Sequence, residues 1–159
     1  MNKAFVREAE DERASNPLPD REIPAEPNLV TPEGLAHIRE MVDLAQEQHT
    51  AARDAGDANE VARTERDLRY WMARHATAQV MKRNSSSEVV EFGSSVTIRR
   101  KDGRNQTFRI VGTDEADPAR GTLSYIAPLA KALLERSKGD TIRVGSETLK
   151  SQRLNEYPL

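Results

Sequence analysis

A chain of 159 residues that is 36% hydrophobic, 31% charged and only 4% aromatic is lean for one compact globule. Such a composition suits a fold with a long, mostly solvated helical element. The absence of cysteine excludes disulfides and cysteine-ligated metals, and the net charge of −2 argues against tight DNA binding by the chain alone. No apolar run approaches a membrane span and the N-terminal sequence lacks a secretory signal, so we expect a cytoplasmic protein that contacts no membrane.

Residues 1–30 are predicted to form a flexible, acidic tail. They carry 4 basic and 7 acidic side chains, whereas residues 82–159 carry 14 basic and 10 acidic ones. The apolar residues of the tail are scattered, and prolines interrupt any helix. The prolines are Pro17, Pro19, Pro24 and Pro27.

Residues 31–81 are predicted to form an antiparallel coiled-coil hairpin. Thr31-Pro32-Glu33 is typical of a helix start, with an N-cap, a proline and an acid in the first turn. Two apolar seams with 3-4 spacing follow, and Gly56 supplies the turn between them. Each arm has about 24 residues, or roughly 36 Å at ~1.5 Å per residue. The seam pairs are Leu35 with Ala78, Ile38 with His75, Val42 with Trp71, Ala45 with Leu68, His49 with Thr64, and Ala52 with Val61.

Residues 82–88 read as a polar linker, after which the apolar period changes from 3.5 to 2. An Asp102-Gly103 turn predicts a β-hairpin, and the segment Pro128 to Arg136 predicts one short helix. Residues 89–159 are therefore expected to form a small curved sheet with a helix packed on it, which makes the fold class α+β. The strand candidates are 89–92, 95–100, 107–111, 122–126, 141–144 and 148–154.

Two acids at the hairpin turn are the first candidate site. Asp57 and Glu60 lie three residues apart at the start of the second helix, where Asp57 can cap the helix and Glu60 can close a capping box. The functional alternative is that these carboxylates reach into another enzyme's channel and share a divalent cation there. Two carboxylates are too few to hold magnesium alone, so the chain would have no cofactor of its own.

The acidic loop with Asp114, Glu115 and Asp117 is the second candidate. It is either a solvated turn or a docking and structural loop whose acids pair internally with basic residues. The possible internal partners are Arg109, Lys131 and Arg143. No nucleophile triad, phosphate loop or paired-histidine metal motif is present in the sequence, so we expect an accessory factor and not an independent enzyme.

The text FGSSVTIRRKDGRNQTFRIVGTDEADPARGTLSYIAPLAKALL, followed by KGDTIRV, resembles the C-terminal domain of the GreA/GreB transcript cleavage factors. The resemblance extends to the hairpin and covers about residues 31–144. It implies an FKBP-like C-terminal domain that docks on bacterial RNA polymerase, and a monomer that contacts nascent RNA only through the polymerase. We assign docking to Asp114, Glu115, Asp117, Pro118, Ser124, Pro128 and Leu129.

The same resemblance implies that the hairpin enters the polymerase secondary channel. Family tips resemble Gly-Asp-x-x-Glu-Asn, so Asp57 and Glu60 match the acids that help the polymerase bind a second Mg²⁺ and cleave backtracked RNA. Asn59 and Val61 stand where a basic residue and an asparagine are common. Each arm is roughly two turns shorter than in typical members, which at ~5.4 Å per turn leaves the tip ~11 Å short.

The alternative is therefore a non-catalytic channel binder that competes with cleavage factors. It resembles the short-hairpin regulators of nucleoside diphosphate kinase. The C-terminal text SETLKSQRLNEYPL also departs from the family's usual ending. A prolyl isomerase or a free-standing binding module would rest on fold analogy alone, and seven aromatic residues in the whole chain are few for an aromatic-lined pocket.

Overall fold

The computed structural model describes residues 18–154, with side chains to residue 151, and the chain divides into two compact units. Within the described residues, the first unit comprises 18–25 and 37–77, and the second comprises 26–36 and 78–154. The fold class is α+β, as predicted. Among the described residues, no helix is long and apolar enough to cross a membrane.

The first unit contains the predicted helical hairpin. Helix α1 spans Pro32–Ala55 and helix α2 spans Ala58–Thr77. Gly56 lies between them with φ +66, a left-handed conformation that glycine adopts without steric cost. The imidazole Nδ1 of His49 lies 3.1 Å from the hydroxyl of Thr64, which confirms one predicted pair directly. The buried seam residues are Ile38, Ala45, Ala52, Thr64 and Trp71.

The seam differs from the prediction at its open end. His75 is exposed, and Ala78 lies beyond the end of α2. Tyr70 and Arg74 are buried instead, although the 3-4 spacing does not select them. The ring of His37 packs edge-on against Trp71 at a centroid distance of 5.9 Å.

The prediction of a flexible tail does not hold for its described part, residues 18–30. Arg21 lies over the ring of Tyr70, 3.9 Å from its centroid, and pairs with Asp67 at 3.4 Å. Asp20 pairs with Arg69 at 2.7 Å, so this segment packs along α2. In the second unit, strand β1 (Leu29–Val30) pairs in parallel with strand β2 (Gln79–Val80). The remainder of the predicted tail, residues 1–17, lies outside the described residues.

The second unit is built on a five-stranded mixed sheet in the order β5-β4-β3-β7-β6. Strands β4 and β5 are parallel, and the other neighbours are antiparallel. The β3–β4 hairpin turns at Gly103, which has φ +86. A register shift between Thr97 and Ile98 marks an irregularity in the pairing of β3 with β7. The strands are β3 (Ser95–Arg99), β4 (Asn105–Val111), β5 (Thr122–Ser124), β6 (Thr141–Val144) and β7 (Glu147–Leu154).

One face of this sheet forms the core with helix α3 (Pro128–Leu133). The helix is shorter than predicted because Leu134 is extended, with ψ 137, and Glu135 has φ +68. The predicted strand 89–92 is reduced to an isolated bridge between Val89 and Ser137. Predicted linker residues 82–88 have no helix or strand. The buried core residues are Val90, Val96, Ile98, Phe108, Ile110, Leu123, Ala130, Leu133, Ile142 and Leu149.

Candidate functional site

The two acids of the hairpin turn are both exposed. Asp57 precedes α2, and its Oδ1 accepts the backbone N–H of Glu60 at 3.2 Å, which is the predicted N-cap. The backbone N–H of Asp57 donates to the carbonyl of Ala52 at 3.2 Å and not to Glu60. The capping box is therefore only half formed, and the Glu60 carboxylate is used elsewhere.

Arg63 holds the carboxylate of Glu60. Its Nη2 donates to Glu60 Oε2 at 2.8 Å, and its Nε lies 3.1 Å from each carboxylate oxygen. The Arg63 Nη1 also reaches Asp67 at 3.2 Å. Hydrogen bonding from Arg63 holds the pKa of the Glu60 carboxyl below its usual value, and the charge of the guanidinium adds to this. Glu60 is therefore ionised at neutral pH but already engaged by a cation.

The tip does not form a complete metal site. Across residues 18–154, no group of three or more histidine, aspartate or glutamate side chains is placed to hold a metal ion. One oxygen of Asp57 is committed to the helix cap, and Glu60 faces Arg63. The donor set thus does not fit a resident Mg²⁺, and these carboxylates are at most additional ligands for a metal held by another protein.

The acidic loop is placed differently from the hairpin turn, because its central acid points inward. Glu115 Oε2 accepts the backbone N–H of Thr31 at 3.1 Å, and its Oε1 accepts the Thr31 hydroxyl. That hydroxyl in turn accepts the N–H of Gly34 at 3.0 Å and so caps α1. The N–H of Gly112 also approaches Glu115 Oε2 at 3.3 Å. Glu115 is therefore a structural residue that secures the start of α1.

Glycine at position 34 is required by this contact. A Cβ at Gly34 would lie 1.9 Å from Glu115 Oε2, closer than any real contact. A Cβ at Gly112 would lie 2.6 Å from the carbonyl oxygen of Leu29. Both glycines leave room for the carboxylate and the strand beside it.

The predicted basic partner of the loop was wrong in one case that the structure specifies. Arg109 donates from Nε to the carbonyl of Gly93 at 3.3 Å and lies 3.8 Å from Glu33. Glu115 is satisfied by Thr31 instead. Neither Lys131 nor Arg143 forms an ion pair with a described acid.

The other residues assigned to docking divide into exposed and inward-facing groups. Asp117 caps the short turn Pro118–Arg120 by accepting the N–H of Ala119 at 3.1 Å, and Asp117 and Pro118 are exposed. Pro128, the first residue of α3, is also exposed. Asp114, Ser124 and Leu129 are half-buried. The Ser124 hydroxyl lies 3.1 Å from that of Thr113, and Leu129 packs against the core.

Sequence reasoning missed two functional relationships. Arg63 lies one turn after Glu60, and this i,i+3 spacing was a readable signal for an ion pair. The bond between Thr31 and Glu115 joins residues 84 positions apart, and no local pattern announces it.

Known proteins were compared with the chain at the level of sequence and structure. Residues 85–152 match the family model described as Transcription elongation factor, GreA/GreB, C-term. The chain is 33% identical over 115 residues to the transcription elongation factor GreA of Desulfovibrio desulfuricans, covering 71% of this chain and 70% of the relative. It is 32% identical over 148 residues to the GreA of Chelativorans sp., covering 92% and 90%.

Among solved structures, the transcription elongation factor GreA/GreB from Nitrosomonas europaea aligns with a TM-score of 0.40 and 16% identity, over 79% of this chain and 97% of that one. The sequence relatives carry the assignment, because the alignment with Chelativorans GreA exceeds 30% identity over nearly the full length of both proteins. This chain belongs to the GreA/GreB family of transcription elongation factors.

Proposed function

We propose that this protein binds bacterial RNA polymerase through its C-terminal domain, inserts its helical hairpin into the secondary channel and promotes cleavage of backtracked RNA. The observation that carries the proposal is the exposed pair Asp57 and Glu60, which lies at the turn of the hairpin in a chain of this family. The polymerase performs the cleavage, and the factor has no catalytic centre of its own. Such a role belongs in the cytoplasm.

The two acids have distinct parts in this proposal. Asp57 fixes the first turn of α2 through its bond to the Glu60 N–H, which sets the separation of the two carboxylates. Glu60 then supplies negative charge beside the Mg²⁺ that the polymerase holds, where the ion polarises the RNA phosphate. To do so, the Glu60 carboxylate exchanges part of its contact with Arg63, which is exposed and therefore inexpensive to rearrange.

Docking in this proposal uses the exposed residues of the acidic loop and of the α3 start. Asp117, Pro118 and Pro128 are available to a partner, whereas Glu115 is occupied by Thr31. Asp114, Ser124 and Leu129 are half-buried and contribute at the edge of that surface. Substitutions at the exposed positions test docking without disturbing the start of α1.

A second candidate is a channel binder that competes with cleavage factors without promoting cleavage. Two observations favour it. The arms of 24 and 20 residues extend only about 36 and 30 Å at ~1.5 Å per residue. Arg63 also neutralises much of the charge that Glu60 would deliver. Metal-assisted chemistry tolerates positional errors nearer 1 Å than 10 Å, so a short arm matters.

Transcript cleavage by stalled, backtracked polymerase complexes tests the proposal. With Mg²⁺ present, the protein should accelerate RNA shortening, and the double variant Asp57→Asn/Glu60→Gln should abolish that effect while still binding polymerase. The matched control is Asp43→Asn/Glu47→Gln, which changes the same charge at exposed positions of α1 and should keep the activity.

The outcomes separate the two candidates. If the protein binds and displaces a cleavage factor but never shortens RNA, the second candidate replaces the first. If Arg63→Gln then produces shortening, the grip of Arg63 on Glu60 is the reason for the inactivity. If no polymerase binding is detected, both candidates are wrong.

A further inference from the structure

The face of the five-stranded sheet opposite the core carries an uninterrupted row of polar and basic side chains. Arg99 on β3 pairs with Asn105 on β4 and with Lys150 on β7, and Lys150 pairs with Thr141 on β6. Directly paired residues share a face of a sheet, so these four side chains cross it in one line. Arg143 follows Thr141 by two residues on β6 and therefore joins the same face.

The positive charge of this face is not neutralised within the described residues. Arg99, Lys150 and Arg143 are all exposed, and none of them forms an ion pair with a described acid. The only acidic residue in the five strands is Glu147, which belongs to the core-side set with Leu149 and pairs with Arg100 at 2.9 Å. We define Arg99, Arg143 and Lys150 as the basic sheet face.

The arrangement has an energetic cost that an anion would remove. Side chains directly opposite each other in an antiparallel pair have Cβ atoms about 4.5–5.5 Å apart, and like charges at such positions destabilise the sheet. Arg99 and Lys150 occupy such a pair. A phosphate bound between them turns this repulsion into two favourable charge-assisted contacts.

The composition of the face distinguishes a nucleic acid from a protein partner. Its other members are Thr97, Thr107, Thr141, Thr148 and Asn105, so the face offers hydrogen-bond donors but no apolar or aromatic side chain. Protein interfaces need a buried apolar or aromatic centre, and single-stranded nucleic acids are held by aromatic stacking. A face with cations and hydroxyls alone matches the phosphate backbone of a duplex, which is bound through charge and without base readout.

We propose that the basic sheet face binds the phosphate backbone of duplex DNA, independently of sequence. Contact with nucleic acid would then not pass through the polymerase alone. The net charge of −2 makes this contact weak in isolation. Three phosphate contacts predict a slope of about −2.7 for log K against log salt, or about a 40-fold loss of affinity between 50 and 200 mM salt.

Fluorescence anisotropy of the full chain with a labelled mixed-sequence DNA duplex, without polymerase, tests the proposal. The triple variant Arg99→Gln/Arg143→Gln/Lys150→Gln should lose at least about tenfold in affinity at low salt, and its salt slope should become nearly flat. Each single variant should reduce the slope by about 1. The matched control Lys131→Gln/Arg136→Gln/Lys138→Gln removes the same charge at exposed positions outside the face and should keep the parent slope.

A polyglutamate competitor decides between the two classes of partner. Displacement by duplex DNA but not by polyglutamate at equal charge concentration supports the proposal, whereas equal displacement by both overturns it in favour of an acidic protein partner. Equal loss of affinity in the control variant, or no salt-dependent binding by the parent chain, also overturns it. Thermal unfolding checks folding, and Lys150→Gln should unfold no earlier than the parent because it removes a repulsive pair.

Discussion

Glu115 and Thr31 are joined by two hydrogen bonds that secure the start of α1. The carboxylate accepts both the backbone N–H, at 3.1 Å, and the hydroxyl of the residue that caps the helix. Glu115→Ala leaves the buried Thr31 N–H without its acceptor, so we expect the free energy of unfolding to fall by about 1–3 kcal/mol. Urea unfolding followed by circular dichroism measures this loss.

An exposed glutamate provides the control for that experiment. Glu88 lies in the segment before β3, and Glu88→Ala should change the free energy of unfolding by less than about 0.5 kcal/mol. If Glu115→Ala is as mild as Glu88→Ala, Glu115 is available for docking and is not a structural residue.

Gly34→Ala should destabilise the protein even though alanine is the better helix former by about 1 kcal/mol. The new Cβ would meet Glu115 Oε2 at 1.9 Å and push the carboxylate away from Thr31. In a Glu115→Ala background this conflict disappears, and the same substitution should become neutral or stabilising. Unfolding of the two single variants and the double variant completes a double-mutant cycle. Additive effects would show that the carboxylate and Gly34 are not coupled.

Two buried serines of the sheet unit should respond to alanine in opposite directions. Ser151 on β7 is fully buried, and its hydroxyl has no hydrogen-bond partner among the described residues. Ser151→Ala removes that unsatisfied group and should raise the free energy of unfolding by about 1 kcal/mol. Ser94 is equally buried, but its hydroxyl accepts the N–H of Glu91 at 3.0 Å, so Ser94→Ala should lower it. Destabilisation by Ser151→Ala would mean that its hydroxyl is satisfied in solution.

Local patterns were sufficient for most of the fold. The 3-4 spacing predicted both helices and the pair His49–Thr64, and Gly56 and Gly103 predicted the two turns. The period of 2 predicted five strands to within two residues at each end. These features depend on residues that are close in the chain, where backbone geometry dictates the spacing.

Contacts between distant segments could not be read in the same way. The stacking of Arg21 on Tyr70 and the pairing of β1 with β2 join segments about 50 residues apart, and proline content alone wrongly suggested flexibility there. Glu115 was assigned to a docking loop because an acid-rich stretch predicts solvent exposure, but its orientation depends on the position of Thr31. The tip acids were located correctly, while their partner Arg63 was overlooked.

The ionisation of Glu60 should depend on Arg63. Hydrogen bonding from Arg63 lowers the pKa of the Glu60 carboxyl, so the ion pair contributes stability above the carboxyl pKa of the unfolded chain and loses it as pH falls through the lower folded pKa. Arg63→Gln should return the Glu60 midpoint upward towards its ordinary value. A carbon-detected NMR titration of the Glu60 carboxyl between pH 2 and 7 measures the shift, and high salt should reduce it because the pair is exposed.

Arg69→Gln is the matched control for this titration, because Arg69 pairs with Glu65 and Asp20 and not with Glu60. It should leave the Glu60 midpoint unchanged. An Arg63→Gln protein whose Glu60 titrates like that of the parent would show that the carboxylate is free in solution. The charge at the tip would then be fully available to a metal in the polymerase, and the shortness of the arms would be the main remaining obstacle to cleavage.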